Sequence, residues 1–395
     1  VTTTSEPVAY PFNEAEGLEL NEAYTAAREA DGLIRVKLPF GEPSWLATRW
    51  ADARLVLGDR RFSRAAAAEH DPPRSQAFAS KEGILSMDPP EHTRLRTLVT
   101  KGFTVRRVEA LRPRVRELAE GFVDDMIEMG PPVDLVENFA LSLPVAVICE
   151  LLGVPMADRP QFRVWSDSVL STSTLDADEF ERNRDELRDY MRGLIAQHRE
   201  HPADDMMTAL IEARDDHDRL TELELVDMCV GILVAGHETT ATQIPNFVYV
   251  LLENPERFAE LRTDPEVIPA AVEELMRFVP LGAGANFPRY ATEDVEVGGV
   301  VVKAGEPVLV AVGAANHDRL RFDAPEEVKF GRDGMQHLGF GHGVHHCLGA
   351  PLARVESQEA LRVLSARLPG LYLSGDIVWK TQMLVRGPRT MPVGW

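Results

Sequence analysis

Residues 337–350 constrain this chain more than any other stretch. They read His337-Leu338-Gly339-Phe340-Gly341-His342-Gly343-Val344-His345-His346-Cys347-Leu348-Gly349-Ala350. Four glycines within eleven residues let the backbone turn tightly and come close to a flat ligand. An amphipathic helix is predicted immediately afterwards. Leu352, Val355, Leu361, Leu364 and Leu368 fall on one face, and Pro369-Gly370 stops it. Cys347 therefore precedes a helix N-terminus, where unpaired N–H groups and the helix dipole stabilise an anion. A thiol held there is expected to ionise readily and to act as a ligand or a nucleophile.

Three chemistries are compatible with such a cysteine. Zinc is suggested by the four neighbouring histidines, although adjacent residues such as His346 and Cys347 rarely aim at one metal and no Cys-x-x-Cys partner exists. A Cys/His nucleophile is the second and a thiolate ligand to haem iron the third. A plain buried cysteine suits Cys149 and Cys229, which lie in apolar segments, but it leaves the glycines around Cys347 unexplained.

The ten residues Phe340 to Gly349 resemble the haem-binding loop of the cytochrome P-450 family of haem-thiolate monooxygenases. The likeness runs through most of the chain and is greatest to the actinobacterial branch that tailors macrolides and other polyketides. It implies a mainly α fold with a small β-rich part, spanning 1–395 as one domain. It also implies haem b held at its iron by Cys347, with Phe340, His345 and Gly349 around it. His92 and Arg96, four apart in Asp88-Pro89-Pro90-Glu91-His92-Thr93-Arg94-Leu95-Arg96, match the family's propionate-binding pair, and Arg289 matches its second propionate arginine.

A second long signal begins at Thr221. Its helical pattern reaches Leu252, about 45 Å at the usual rise per residue. Ala235-Gly236-His237-Glu238-Thr239-Thr240 lies in its middle. Gly236 weakens the helix and is expected to admit a ligand. An interior threonine ordinarily bonds back to the carbonyl four residues earlier. By resemblance to the family's oxygen-binding motif, Ala235 and Gly236 meet the haem, Thr239 delivers protons and Glu238 relays them. Pro245 should disturb the bond to Ala241 and bend the helix.

Before that helix, the sequence predicts helices at Asn21–Ala30, Trp50–Gly58, Pro113–Met129 and Asn138–Leu152. A helical stretch over Arg159–Glu200 should be broken by a hinge at Ser171–Thr174. Leu33–Leu38 and Trp45–Arg49 read as a hairpin, and Val295–Val302 as another around Gly298-Gly299. Glu274 and Arg277 match the family's structural Glu-x-x-Arg pair by position alone, since helix ion pairs explain the same spacing elsewhere in the chain. Val328 stands where the family commonly has Phe. The small residues after Leu281 suit a bulky substrate, and the resemblance implies that the long loop 65–86 covers the same pocket and that the tip of a C-terminal hairpin faces it. The expected wall is Leu85, Val234, Ala235, Leu281, Ala283, Ala285, Met383 and Leu384.

A formal net charge of −21 argues against nucleic acid as the main partner. Without an eighteen-residue apolar run, a leader or paired cysteines, a cytoplasmic protein with no membrane association is expected. The resemblance implies hydroxylation or epoxidation of an apolar small molecule with O2. Electrons would come from a separate ferredoxin and its reductase, docking where Arg94, Lys101, Arg106, Arg107, Arg112, Arg114 and Arg116 cluster. A haem-thiolate sensor or carrier would keep Cys347 without the Glu238-Thr239 relay, and a cysteine hydrolase would bind no haem.

Overall fold

The computed structural model describes every residue except 1–5, 14–15, 31, 77–82, 101, 159–160, 162–163, 166–167, 169–176, 204, 216–219 and 286. The expected hinge at 171–174, Lys101 and Asn286 lie outside the described residues. Helices dominate. Val105–Met129, Ser142–Leu152, Glu222–Leu252, Ile268–Phe278 and Ala350–Arg367 pack around one apolar core that includes Phe139, Leu143, Ile148, Phe247, Leu275 and Leu361. The long helix Glu222–Leu252 runs through this core. Its start is fixed by a capping box, in which the Thr221 hydroxyl accepts from the Glu224 N–H and the Glu224 side chain accepts from the Thr221 N–H. Pro245 is buried inside it without ending it.

The β-rich part is a six-stranded sheet ordered Val8–Ala9, Ile34–Lys37, Ser44–Ala47, Pro307–Val310, Arg289–Ala291 and Phe62–Ser63. Ile34–Lys37 and Ser44–Ala47 form the expected antiparallel hairpin, and Val295–Val297 pairs with Val300–Val302 around Gly298-Gly299. Val378–Trp379 pairs with Pro388–Thr390, and the turn between them reaches back to the helical half. Among the described residues no helix is long and apolar enough to cross a membrane.

Two helix boundaries differ from expectation. The helix predicted from Pro113 begins at Val105, because Thr104 caps it by accepting the Arg107 N–H; Pro113 sits inside the helix. Ahead of Ser142–Leu152, residues Val136–Ala140 form a wider π turn instead of the α-helix expected from Asn138.

Glu274 and Arg277 are buried completely. Arg277 bonds both Glu274 carboxylate oxygens and donates to the carbonyls of Asn316, Pro325 and Glu327. Glu274 also accepts from Arg332 and from the Lys329 N–H. One helix pair thus anchors the irregular segment 316–332 that leads into the cysteine loop. Val328 is buried against the helical core.

Candidate active site

The cysteine loop is folded by its glycines and by a half-buried clamp. Gly343 has a φ of +74°, and a Cβ there would lie 2.5 Å from the Leu57 carbonyl oxygen, so only glycine fits. Glu273 accepts from Arg354 and His337, gripping the loop from the helical side. Burial alone would raise the Glu273 carboxyl, but these two partners bring it down to about 2. Phe340 lies under the Arg354 guanidinium, 4.5 Å away, and its carbonyl accepts the Cys347 N–H at 2.8 Å.

Cys347 is exposed and stands just ahead of the helix Ala350–Arg367, whose N-cap is Gly349. Its thiol does not ionise as readily as expected. Although the residue has exposed surface, the protein packed around its thiol pushes the pKa up, and the N–H groups of Gly349 and Ala350 with the charges of Arg96 and Arg354 offset this only in part. The helix end supplies the predicted stabilisation, but the low-dielectric surroundings outweigh it.

The middle of the long helix meets the helix that follows the loop, where buried Glu356 lies against Thr240. Ala235 is exposed and Thr239 partly so, although Val234, His237, Glu238 and Thr240 around them are buried. Residues four apart share a helix face, so 235 and 239 open onto one space. The Thr239 hydroxyl donates to the Ala235 carbonyl at 2.9 Å, as interior threonines do, and its oxygen remains free to accept from that space. Gly236 serves a different end from the one expected. A Cβ there would lie 2.7 Å from Ile148 Cδ1, so the glycine allows close packing of two helices.

Between these walls lies a cluster of donors. His92 and His345 are in ring contact at 4.4 Å, and buried Arg64 and Arg289 repel one another across the same site. Burial, the neighbouring His92 and the two arginines bring His345 down to about 3. Burial and Arg289 bring Arg64 down to about 9, and burial brings Arg289 down to about 10. Asp88 is the acid that opposes them, and His345 Nε2 is buried without a hydrogen-bond partner among the described residues. Such a cluster is incomplete without anions. Arg64 was not singled out in the sequence, where nothing in Phe62-Ser63-Arg64 marks it. Arg96, expected here, donates instead to the His346 carbonyl at 2.5 Å and lies beside Cys347.

The residues therefore fit haem. Cys347 offers a thiolate for iron, the Ala235–Thr239 face leaves room for a flat apolar ring, and Arg64, Arg289, His92 and His345 ask for carboxylates. Zinc is not supported, since no cluster of three metal-ligating side chains occurs among the described residues.

The expected substrate wall is partly assembled. The Ala283 N–H donates to the Leu384 carbonyl at 3.0 Å, the Arg386 N–H donates to the Leu281 carbonyl at 2.7 Å, and Gly282 bridges Val385. These bonds bring Leu281 and Ala283 together with the hairpin turn that carries Met383 and Leu384. Val234 is buried beside Ala235, and Leu85 is 52% exposed. Ala285 departs from expectation. It is 2% exposed, packs in the cluster of Tyr10, Tyr24 and Leu309, and its N–H donates to the Tyr10 hydroxyl at 2.7 Å. A residue this enclosed belongs to the core behind the wall.

The expected basic face is also changed by folding. Arg112 and Arg116 share Glu359, Arg114 bonds Glu150 and Glu117, and Arg94 bonds Glu224. Arg106 and Arg107 remain exposed beside Val105.

Comparison with known proteins agrees with this geometry. The family model of Cytochrome P450 matches residues 144–364. A mycinamicin IV hydroxylase/epoxidase of Micromonospora griseorubida is 52% identical over 396 residues, with 100% of both chains covered. A nocardicin C N-oxygenase of Nocardia uniformis subsp. tsuyamanensis is 47% identical over 398 residues, again with 100% of both covered. The solved structure of the mixed-function P450 MycG is 53% identical with a TM-score of 0.92, covering 99% of this chain and 100% of that one.

Proposed function

The chain belongs to the cytochrome P450 family and is a haem-dependent monooxygenase; from this premise we propose that it hydroxylates or epoxidises a bulky apolar secondary metabolite, a macrolide or other polyketide, in the cytoplasm, with electrons from a ferredoxin and its reductase. The observation that carries the substrate class is the full-length likeness to a mycinamicin hydroxylase/epoxidase. The small Ala283, joined to the hairpin turn of Met383 and Leu384 by its N–H, supports it.

When bound, haem supplies oxygen activation, and thiolate ligation favours O–O cleavage. The protein's part is position, proton supply and exclusion of water. Cys347 would hold the iron, and Arg64, Arg289, His92 and His345 would hold the propionates. Thr239 would accept and pass protons on the open face of the long helix, and Glu238, on the side of the helix turned to the C-terminal hairpin, would supply them from behind it. Leu281, Ala283, Met383 and Leu384 would orient the substrate and keep bulk water from it.

Titrating the haem-loaded protein with a panel of macrolides, other polyketides and nocardicin C, and following the haem spectrum, tests the substrate class. Macrolides are expected to shift the spectrum and to yield oxygenated products. Ala283→Phe should weaken macrolide binding by about tenfold through overpacking, with haem content unchanged. A response to nocardicin C alone, with N-oxygenated product, would replace the polyketide reading.

The ferredoxin reading rests on Arg106 and Arg107. They lie close in sequence to the helix whose Arg96 bonds the cysteine loop, and a local positive patch steers an acidic partner. Changing both to Glu should slow reduction by ferredoxin roughly tenfold at low salt. It should also flatten the salt dependence, while reduction by dithionite stays the same. An unchanged ferredoxin rate in that variant puts the docking face elsewhere.

A further inference from the structure

Glu238 is not turned toward the open space beside Thr239. Its carboxylate is 2.5 Å from the Lys380 ammonium in an ion pair whose side chains are 3% and 6% exposed. Lys380 also donates to the Thr242 hydroxyl at 2.8 Å, and Thr242 donates to the same Glu238 oxygen at 3.4 Å. Successive helix residues point about 100° apart, while residues four apart align. Thr239 therefore looks with Ala235 into the open space, and Glu238 looks with Thr242 toward the C-terminal hairpin.

Lys380 belongs to that hairpin. It follows the strand Val378–Trp379, and its N–H donates to the Gly387 carbonyl at 2.9 Å. Three residues later come Met383 and Leu384, on the turn tied to Ala283. Asn246 of the long helix donates to the Arg386 carbonyl at 2.9 Å, so the hairpin is fastened to the helix on both sides of its turn. One short segment thus holds the acid beside Thr239 at one end and the expected substrate wall at the other.

Resting on the monooxygenase reading above, we propose that Lys380 is a positioning residue for proton supply: it holds the Glu238 carboxyl in register, so that the relay to Thr239 depends on the hairpin that also meets the substrate. A buried carboxylate stripped of its counter-ion becomes neutral or moves. In either state Glu238 no longer presents a carboxylate at this place on the helix. Lys380 touches neither reacting atoms nor haem in this scheme, and acts through Glu238 alone.

The outcome of oxygen reduction reports the relay. Each O2 takes two electrons and two protons. They leave either as one water with an oxygenated product or as hydrogen peroxide without product. The electrons come from NADPH through a reductase and an acidic ferredoxin, and the peroxide share measures how often proton delivery fails.

The test uses haem-loaded parent, Lys380→Met, Lys380→Gln, Glu238→Gln and the double variant Lys380→Met/Glu238→Gln, each matched by its carbon monoxide spectrum. Lys380→Gln keeps a hydrogen-bonding side chain and serves if Lys380→Met does not fold. Either Lys380 variant should raise the peroxide share at least threefold and enlarge the solvent deuterium effect on product formation, with substrate affinity within twofold of the parent. In the Glu238→Gln background, losing Lys380 should add nothing further to the peroxide share. Urea unfolding of the same proteins, read without turnover, should show the two single losses combining non-additively. A lysine that only staples the hairpin would lower the urea midpoint and leave the peroxide share and the deuterium effect at parental values, which overturns the proposal. An additive rise in the double variant also overturns it. A mistaken substrate class appears separately, as parent protein that gives no product with macrolides, because the peroxide share can be read with any compound that shifts the haem spectrum.

Discussion

Arg277→Met is expected to lower stability by about 3–5 kcal/mol, since it removes the bidentate partner of a buried carboxylate and leaves Glu274 with Arg332 as its remaining cation. Five hydrogen bonds from Arg277 disappear together, three of them to the carbonyls of Asn316, Pro325 and Glu327. A loss of that size is a large part of the roughly 5–15 kcal/mol that keeps a typical protein folded. The segment 316–332 should loosen first, and the cysteine loop behind it should fail to retain haem. Arg277→Lys should rescue little, because an ammonium cannot reproduce the planar fork. For contrast, Arg257 and Glu260 form a partly exposed pair at 2.8 Å. Breaking that pair should cost about 1 kcal/mol or less. Urea melts of the three variants with their haem-to-protein ratios measure the difference. A loss in Arg277→Met no larger than in the Arg257 control would refute the buttress.

Cys347→His should keep part of the haem and lose both the thiolate-type carbon monoxide band and the monooxygenase activity. The donor cluster of Arg64, Arg289, His92 and His345 is untouched by this change, so carboxylate binding persists. Imidazole lacks the electron donation of a thiolate, so O–O cleavage is no longer favoured. The reduced spectrum under carbon monoxide reads the outcome directly. A variant with the parental band would remove Cys347 from the iron and with it the assignment of the whole loop.

Much of this architecture was legible in the sequence because its signals are local. The helical patterns that begin at Asn21 and Thr221, the Gly298-Gly299 turn and the glycines of 339–349 act within a few residues of themselves, and the elements appear where those signals stand. What was misread depends on partners far along the chain. The run of arginines from 94 to 116 reads as a positive face until Glu224, Glu150 and Glu359 fold onto it. Ala285 reads as pocket wall until Tyr10, 275 residues away, covers it. Gly236 reads as room for a ligand until Ile148 arrives at its surface. Arg64 and Lys380 carry no local mark at all, since each acquires meaning only opposite Arg289 or Glu238. Thr104, by contrast, is a local cap, and Pro113 eight residues into the helix it starts does not break it.

The Tyr10 contact with Ala285 has a consequence for engineering. One side of the expected substrate wall is backed by residues near the start of the chain and joined to residues near its end, while Cys347, the Glu274–Arg277 anchor and the long helix are held by the interior of the helical half. Ligand choice and iron ligation thus reside in separable parts of the polypeptide, while the hairpin that carries Lys380 joins ligand choice to proton supply and its lysine would have to be kept in any exchange. Exchanging the two terminal segments with those of a relative would be a compact way to redirect such a catalyst toward new molecules, and trimming or tagging the chain near Tyr10 would alter selectivity before it altered haem content.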